Sequence, residues 1–368
     1  MLRWRSGTVA ALRREWHGTV ELDVDLTDGT RVRALAYPAL IGRPEPGDRV
    51  LLNVGALLMG LGTGGWALVV ALPDRLPPDP PGAGTSRDAG HLVKARYTPL
   101  QPILLGADEE ASPHRPALAE ADDLAGMPVV TADLHSALPA IVAGIRADAP
   151  GARIAYVMTD GGALPAWFSR TLAGLRDELV ATVTVGQAFG GDLEATNVHS
   201  GLLAARHALD ADIAVVAQGP GNLGTGTRWG FSGVAVGEAV NAAAVLGGRP
   251  IGSLRISTAD PRPRHRGLSH HSVTAYGRVA LAPADLVVPC GLGAKLDAAL
   301  AEPLARLARR HRIVRVSTDG LDAALRAVPV ALSTMGRGLD EDPAYFLAAA
   351  AAGRHAARLL DRTTTPTG

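Results

Sequence analysis

The stretch PVVTADLHSALPAIVAGIRADAPGARIAYVMTD, residues 128–160, holds one complete strand–helix–strand unit. An apolar run ending in an acid (Pro128–Asp133) precedes a segment of helical periodicity near Ala137–Arg146, and a second apolar run follows (Arg153–Asp160). Both runs are nearly continuous in Val, Ile and Ala, which marks strands covered on both faces. The same grammar continues downstream. A helix over Ala166–Leu179 follows; then come TVTVGQ (182–187) before Ala195–Leu209, DIAVVAQ (212–218) before Val234–Leu246, PIGSLRIS (250–257) before a helix after Ser269, and IVRVST (313–318) before a short helix. Alternating strands and helices predict an α/β fold, a mostly parallel Rossmann-like sheet flanked by helices. Such open sheets bind ligands beyond the carboxyl ends of their strands.

Upstream the pattern differs. Short runs (GTVAAL, TVELDVDL, RVRALAY, DRVLLNV, WALVVAL) are broken by His17-Gly18, Asp28-Gly29 and Pro46-Gly47-Asp48, and Val20–Leu26 alternates with period two. This predicts a small antiparallel β-barrel over residues 1–73. PDRLPPDPPGAGTSRDAG, residues 73–90, has no apolar periodicity and reads as a Pro/Gly-rich linker over 74–90, which leaves 91–368 for the α/β domain with its Ala-rich C-terminal helix. The last residues, DRTTTPTG, are expected to fray.

A chain of 368 residues, 47% of them apolar, can supply two cores. Its 36 basic residues balance 36 acidic ones, so no general electrostatic footprint for nucleic acid or anionic membrane exists. Lys94 and Lys295 are the lysines and every other basic residue is arginine, a bias that spans the chain. The lone Cys290 excludes an intramolecular disulfide and reads as a small buried hydrophobe rather than a nucleophile. No signal-peptide core opens the chain, so a cytoplasmic location is expected. Val54–Pro73 carries no charge, but five glycines interrupt it; GLGTGG reads as a turn between strands, not as part of a membrane span.

Function is expected in the loops at the strand ends: DLHS (133–136), TDGGALP (159–165), GQAFGGDLEATNVHS (186–200), QGPGNLGTGTRWGFSG (218–233) and the segment Arg255–Arg278. That last segment sets five arginines and three histidines against one acid, Asp260. Arg264 and Arg266 offer planar forks for an anion, and an imidazole beside them would be kept neutral by like charge, so His270 or His271 could move a proton. Asp160 and Asp192 would orient water or a metal, and Asp192 also reads as a helix cap. Gly219, Gly221 and Gly224, with Thr225 and Gly226, match a glycine-rich ligand cradle, although Pro220 removes one N–H and no acid follows at the ribose spacing. Asp133 and His135 are the candidate metal ligands. The histidine and carboxylate spacings match no standard zinc signature, and no G-x-S-x-G elbow is present.

Taken together, GHLVKARYTPLQ, DLHSAL, YVMTDGGALP, AFGGDLEATNVHSGLLAARH, GPGNLGTGT with GFSG, and RISTADPRPRHRGLSHH resemble a bacterial family of uncharacterised proteins, domain of unknown function thirty-eight sixty-six. AYPAL near Tyr37 and the LGTGG turn extend the resemblance over nearly the whole chain. It implies no activity, cofactor or catalytic residue. That family often has Tyr where this chain has His199, which speaks against a catalytic imidazole there. The expectation is therefore an enzyme, a hydrolase or group transferase, acting on a small anionic, phosphorylated or nucleotide-like substrate. Its cofactor is unspecified, with a divalent metal as one option. The expected partner is a small anionic metabolite or nucleotide, without nucleic acid or membrane, and a homo-oligomer is compatible with the sequence. The alternative is a non-catalytic sensor or scaffold that binds the same ligand and uses the barrel as an interaction module.

Overall fold

The structure, a computed structural model, describes residues 2–60, 65–79 and 90–360. Most of the expected linker, the centre of the LGTGG turn and the C-terminal DRTTTPTG lie outside the described residues. The chain divides into two compact units, Met1–Leu105 with Trp167–Ala173, and Gly106–Ala166 with Gly174–Gly368. The sequence places the second boundary at His91; the structure places it at Gly106. Among the described residues no helix is long and apolar enough to cross a membrane.

The first unit contains a closed five-stranded barrel: β1 (Trp4–Trp16), β2 (Thr19–Leu26), β3 (Arg31–Ala36), β4 (Arg49–Asn53) and β5 (Ala67–Ala71), in the order β1-β2-β3-β5-β4. Four of the pairs are antiparallel and β3–β5 is parallel, so the barrel is a mixed one of the OB kind. Inward positions (Val9, Val20, Leu22, Val24, Ala34, Ala36, Val50, Leu52, Ala67, Val69) form its core, as the alternation in β2 requires. Gly55–Leu58, between the strand β4 and the GLGTGG turn, is a helical turn. A short pair, β6 (Leu92–Val93) with β7 (Ile103–Leu104), also belongs to this unit.

The second unit is built on an eight-stranded parallel sheet. Its strands are β8 (Pro128–Ala132), β9 (Ile154–Thr159), β10 (Ala181–Thr184), β11 (Leu193–Glu194), β12 (Ile213–Gln218), β13 (Arg249–Ser253), β16 (Asp285–Pro289) and β17 (Arg312–Val316), with β14 (Ile256–Ser257) and β15 (Gly267–Leu268) outside it. The spatial order is β11-β10-β9-β12-β8-β13-β16-β17. After β9 the chain winds toward β10, and after β12 toward β13; after β8 it returns toward β9, and after β13 it moves outward toward β16. The neighbours β9/β12 and β8/β13 therefore each part their connections in opposite directions. Both gaps are switch points, where a doubly wound sheet opens a crevice.

One face of the sheet is covered by Val198–Leu203 and Val236–Val245, whose Ala and Leu side chains pack on Val129, Ala155, Val157, Ala214 and Val216. The helices Leu138–Asp148 and Pro343–Leu360 pair closely through two glycines: a Cβ on Gly144 would lie 1.9 Å from the Ala350 carbonyl oxygen, and one on Gly353 would lie 2.0 Å from that of Ile141. Helix boundaries depart from the sequence reading in two places. The expected helix Ala166–Leu179 is three short helical pieces. The helix expected from Ala195 starts at Val198, because Asn197 and not Asp192 forms the cap, its side chain accepting from Ser200 N–H at 3.0 Å. Substituting Gly144→Ala forces backbone apart and should cost about 1–3 kcal/mol, lowering the melting temperature by several degrees. Gly151→Ala, where a Cβ meets nothing within 4 Å, should leave it unchanged; equal melting of the two variants in a thermal scan would refute this helix contact.

Candidate functional site

The site begins where the sheet ends. PIGSLRIS reads as one strand, but β13 stops at Ser253, and Ile256–Ser257 turns away to pair antiparallel with Gly267–Leu268. That small ribbon holds residues 258–266 as a loop beyond the carboxyl end of β13. Ser269 then caps the helix His270–Thr274, its hydroxyl accepting from His271 N–H at 3.2 Å. A serine followed by two histidines at a helix start is thus a local signal: the cap fixes both imidazoles at the first turn.

Asp260 organises the loop. Its side chain is fully buried and accepts from the Arg262 backbone N–H (3.0 Å), Arg262 Nε and Nη2 (2.9 and 2.8 Å), Arg255 Nη2 (3.3 Å) and Arg337 Nη2 (3.4 Å). Burial alone would raise its pKa, but the Arg262 hydrogen bonds hold the carboxylate well below the usual range. Arg337 also reaches the buried Asp342, which accepts from Ser257 Oγ at 2.6 Å. Arg266, expected to bind the anion, instead donates to the backbone carbonyls of Asp260 and Pro261 and staples its own loop. Arg264 is different: it is exposed and forms no hydrogen bond or ion pair among the described residues.

Three imidazoles converge above Arg255. His265 donates or accepts through Nδ1 to Ser269 Oγ at 2.7 Å, and ring centroids of His265, His270 and His271 are 4.4 to 4.9 Å apart. His271 stacks on Phe231 at 3.8 Å with an interplanar angle of 5°. Its Nδ1 lies 3.4 Å from Arg255 Nη1 and 3.5 Å from Asp133 Oδ2, so Asp133, Arg255 and His271 meet at the β8/β13 crevice. Burial, then the charges of Arg255 and Arg262, lower His265 to about 3. Burial, then His271 and Arg264, lower His270 to about 4. Both rings are therefore held toward the neutral form, with burial as the main cause and like charge adding to it.

Polar atoms left over point to the same place. Asp133 Oδ2, Gln218 Oε1 and His270 Nε2 are buried without a hydrogen-bond partner among the described residues. Asp133 and Gln218 also line a recess with Thr159, Ser232, Gly233 and Val236 at the carboxyl ends of β8, β9 and β12. Gln218 closes this floor, donating from Nε2 to the Asp133 carbonyl (2.9 Å) and to Asn222 Oδ1 (2.8 Å).

The glycine loop takes several roles. Gly219 is a packing position, since its Cβ would lie 2.5 Å from the Ala163 carbonyl. Gly221 and Gly226 have φ of +94° and +82° and make turns. Gly224 bridges Phe231, and Thr225 N–H donates to the Gly230 carbonyl at 2.7 Å, so the loop is closed on itself before the helix and its glycines do not open directly onto a helix N-terminus. Only Gly226 of these faces the arginine loop: a Cβ there would lie 3.7 Å from Arg264 Nη2. Trp229, 55% exposed, presents an aromatic face on the same loop.

Other expected residues lie elsewhere. Asp192 accepts from Thr182 N–H at 2.8 Å beside β10, and Arg176 Nη2 is 3.8 Å away. It lies at the β11 edge, five strand steps or about 24 Å from β13; it is a turn residue, not part of this crevice. Asp160 accepts from Gln187 N–H at 2.8 Å and fixes the loop after β10. His135 turns to Tyr156, Nδ1 to the hydroxyl at 3.1 Å, and burial lowers it to about 4. Asp133 and His135 thus have different partners, His271 and Arg255 for the first and Tyr156 for the second. His199 is exposed and half-buried Cys290 closes β16. Sequence reasoning left out Arg255, Phe231 and Gln218, none of which has a motif to announce it.

A barrel and a doubly wound α/β unit with a histidine–arginine crevice at its switch point define the class of protein. The model of the family described as "Protein of unknown function (DUF3866)" matches residues 33–353, and the chain belongs to that family, as its motifs indicated. No curated protein and no solved structure matches it.

Asp260→Asn leaves the buried Arg255 undercompensated, and should cost about 3–5 kcal/mol, read as a lower urea midpoint at pH 7. Because the folded pKa is depressed, the pair's contribution is complete above the unfolded value of about 3.9 and is lost as pH falls through it toward the folded value. Wild type should therefore lose more stability than Asp260→Asn between neutral pH and about pH 3; parallel pH profiles would show that the hub contributes nothing.

Proposed function

We propose that this protein is an enzyme that hydrolyses, or transfers a group from, a small anionic substrate of phosphorylated or nucleotide-like chemistry. One observation carries the reading: an uncommitted guanidinium, Arg264, lies against Gly226 and beside neutral, partly exposed His270, at the rim of a crevice whose deeper polar atoms lack partners. A loop that spends Arg262 and Arg266 on internal contacts, with Arg255 and Arg337 drawn to the same Asp260, yet leaves Arg264 exposed next to a bare turn offers one fork for one anion. Trp229 supports the nucleotide-like variant, since an exposed indole gives a base a face to stack on. Asp133 Oδ2 and Gln218 Oε1, which accept no hydrogen bond among the described residues, supply acceptors for water or for a substrate hydroxyl. In hydrolysis the water oxygen bonds to the electrophilic centre, the bond to the leaving oxygen breaks, and the two water protons pass to that oxygen and to solvent. The substrate and product stay within the cytoplasm-type metabolite class that a neutral chain without a nucleic-acid face suits.

The test pairs binding with turnover. Inorganic phosphate should raise the melting temperature of the wild-type chain. Arg264→Ala should weaken its affinity by about 10- to 100-fold, the size of one charge-assisted hydrogen bond, with the unliganded melting temperature unchanged because Arg264 is exposed. A panel of phosphomonoesters and nucleoside monophosphates should give product that Arg264→Ala forms more slowly. Stabilisation without product would favour a sensor, and phosphate affinity unchanged in Arg264→Ala would remove the anion site.

A further inference from the structure

We propose that His265, His270 and His271 together bind one divalent transition-metal ion at the mouth of the β8/β13 crevice. The inference rests on the proposed function only for what the ion would do there; the ligand set stands on its own geometry.

One nitrogen from each of the three rings lies within 4.8 Å of the others. Each ring has a nitrogen to spare. Nδ1 of His265 is held by Ser269 Oγ, and Nδ1 of His271 meets Arg255 and Asp133, which leaves the Nε2 atoms. Nε2 of His270 is buried with no partner among the described residues. This is the arrangement metal-binding histidines adopt, one nitrogen oriented by a hydroxyl or carboxylate and the other presented to the ion. Ligand nitrogens about 2.0–2.1 Å from a tetrahedral ion are roughly 3.3 Å apart, so binding would draw the rings together from their present spacing of within 4.8 Å.

Phe231 supplies the apolar stack on His271, and the carboxylate nearest that ring, Asp133, meets its Nδ1 and not its Nε2. An imidazole nitrogen whose ring is oriented through its other nitrogen presents its lone pair to a cation. Three imidazoles without a thiolate suit zinc, cobalt, nickel or copper, whereas calcium and magnesium would ask for a cage of oxygens. Three protein ligands leave a fourth position for water, the pattern of catalytic rather than structural zinc. At that position a bound water would become a nucleophile near neutral pH, facing the anion held by Arg264. The spacing, four residues between His265 and His270 and none between His270 and His271, corresponds to no standard zinc signature, so the ribbon β14–β15 is what assembles the set.

The full chain, stripped with a chelator and dialysed free of it, is titrated with Co²⁺ followed by visible absorption and with Zn²⁺ by calorimetry. One ion per chain is expected, with the intense visible bands of a four- or five-coordinate Co²⁺ site. His270→Ala should weaken binding on the order of 100-fold, and Asp133→Asn by about tenfold through loss of the orienting carboxylate. His199→Ala, at an exposed side chain, should leave affinity unchanged. His270→Gln replaces His270→Ala if far-UV circular dichroism shows the latter unfolded. Absence of stoichiometric binding by the wild type, or affinity unchanged in the folded His270 variant, overturns the metal site. Phosphate binding to the stripped protein is measured alongside. Phosphate binding that depends on Arg264 without any Co²⁺ binding leaves the anion reading standing and ends this one; Co²⁺ bound through His270 with no phosphate response supports the metal site and ends the anion reading.

Discussion

The buried carboxylate of Asp260 is the constraint on which the crevice depends. It gathers Arg255, Arg262 and Arg337 around one point with no solvent, and Ser257 and Asp342 extend the network into the helix Pro343–Leu360 side of the fold. A charge in that position is tolerated only because its partners are present and hydrogen-bonded. The consequence is geometric. Arg255 is fixed against Asp133 and His271, the loop 258–266 cannot relax outward, and the histidines are held close enough together to act on one ligand.

Two consequences of that network work in the same direction. Burial shifts His265 and His270 toward the neutral form, and neighbouring guanidinium charge adds to it. Internal pairing of most arginines leaves Arg264 as the exposed fork. A segment that reads as uniformly basic therefore spends Arg255, Arg262 and Arg266 on internal contacts once folded, and leaves Arg264 and Arg278 outward. Counting charges along the loop overstates the anion site, because the Asp260 carboxylate and backbone carbonyls absorb most of the donors.

The parts of the fold that were legible have local causes. Strands β8, β9 and β12 read directly as unbroken apolar runs, since a buried parallel strand must be apolar on both faces. The barrel strand β2 read from its alternation. Strand β16 and the helix Ala294–Leu307 were passed over, the first because five residues around VVPC carry little pattern. The second does contain Leu296, Leu300, Leu304 and Leu307 on one face, but Pro303 and its charges obscured that stripe. Of the candidate site, composition points to His270, His271 and Arg264, but equally to Asp192, which holds a turn, and to Arg266, which bonds backbone carbonyls. Which acid caps a turn and which arginine bonds a carbonyl is set by partners that are distant in sequence or by loop closure.

By itself the sequence determined the alternation of strands and helices, the barrel before it, the family, and the strand-end loops in which polar residues collect. Those follow from periodicity and turn chemistry, which act over a few residues. Only the tertiary structure decided that β13 ends at Ser253, that Asp133 from β8 faces His271 from beyond β15, and that His265 joins His270 and His271 while Asp192 stays at the far edge of the sheet. Those outcomes depend on strand order and on where buried charge finds compensation, and neither is written in any local stretch of the chain.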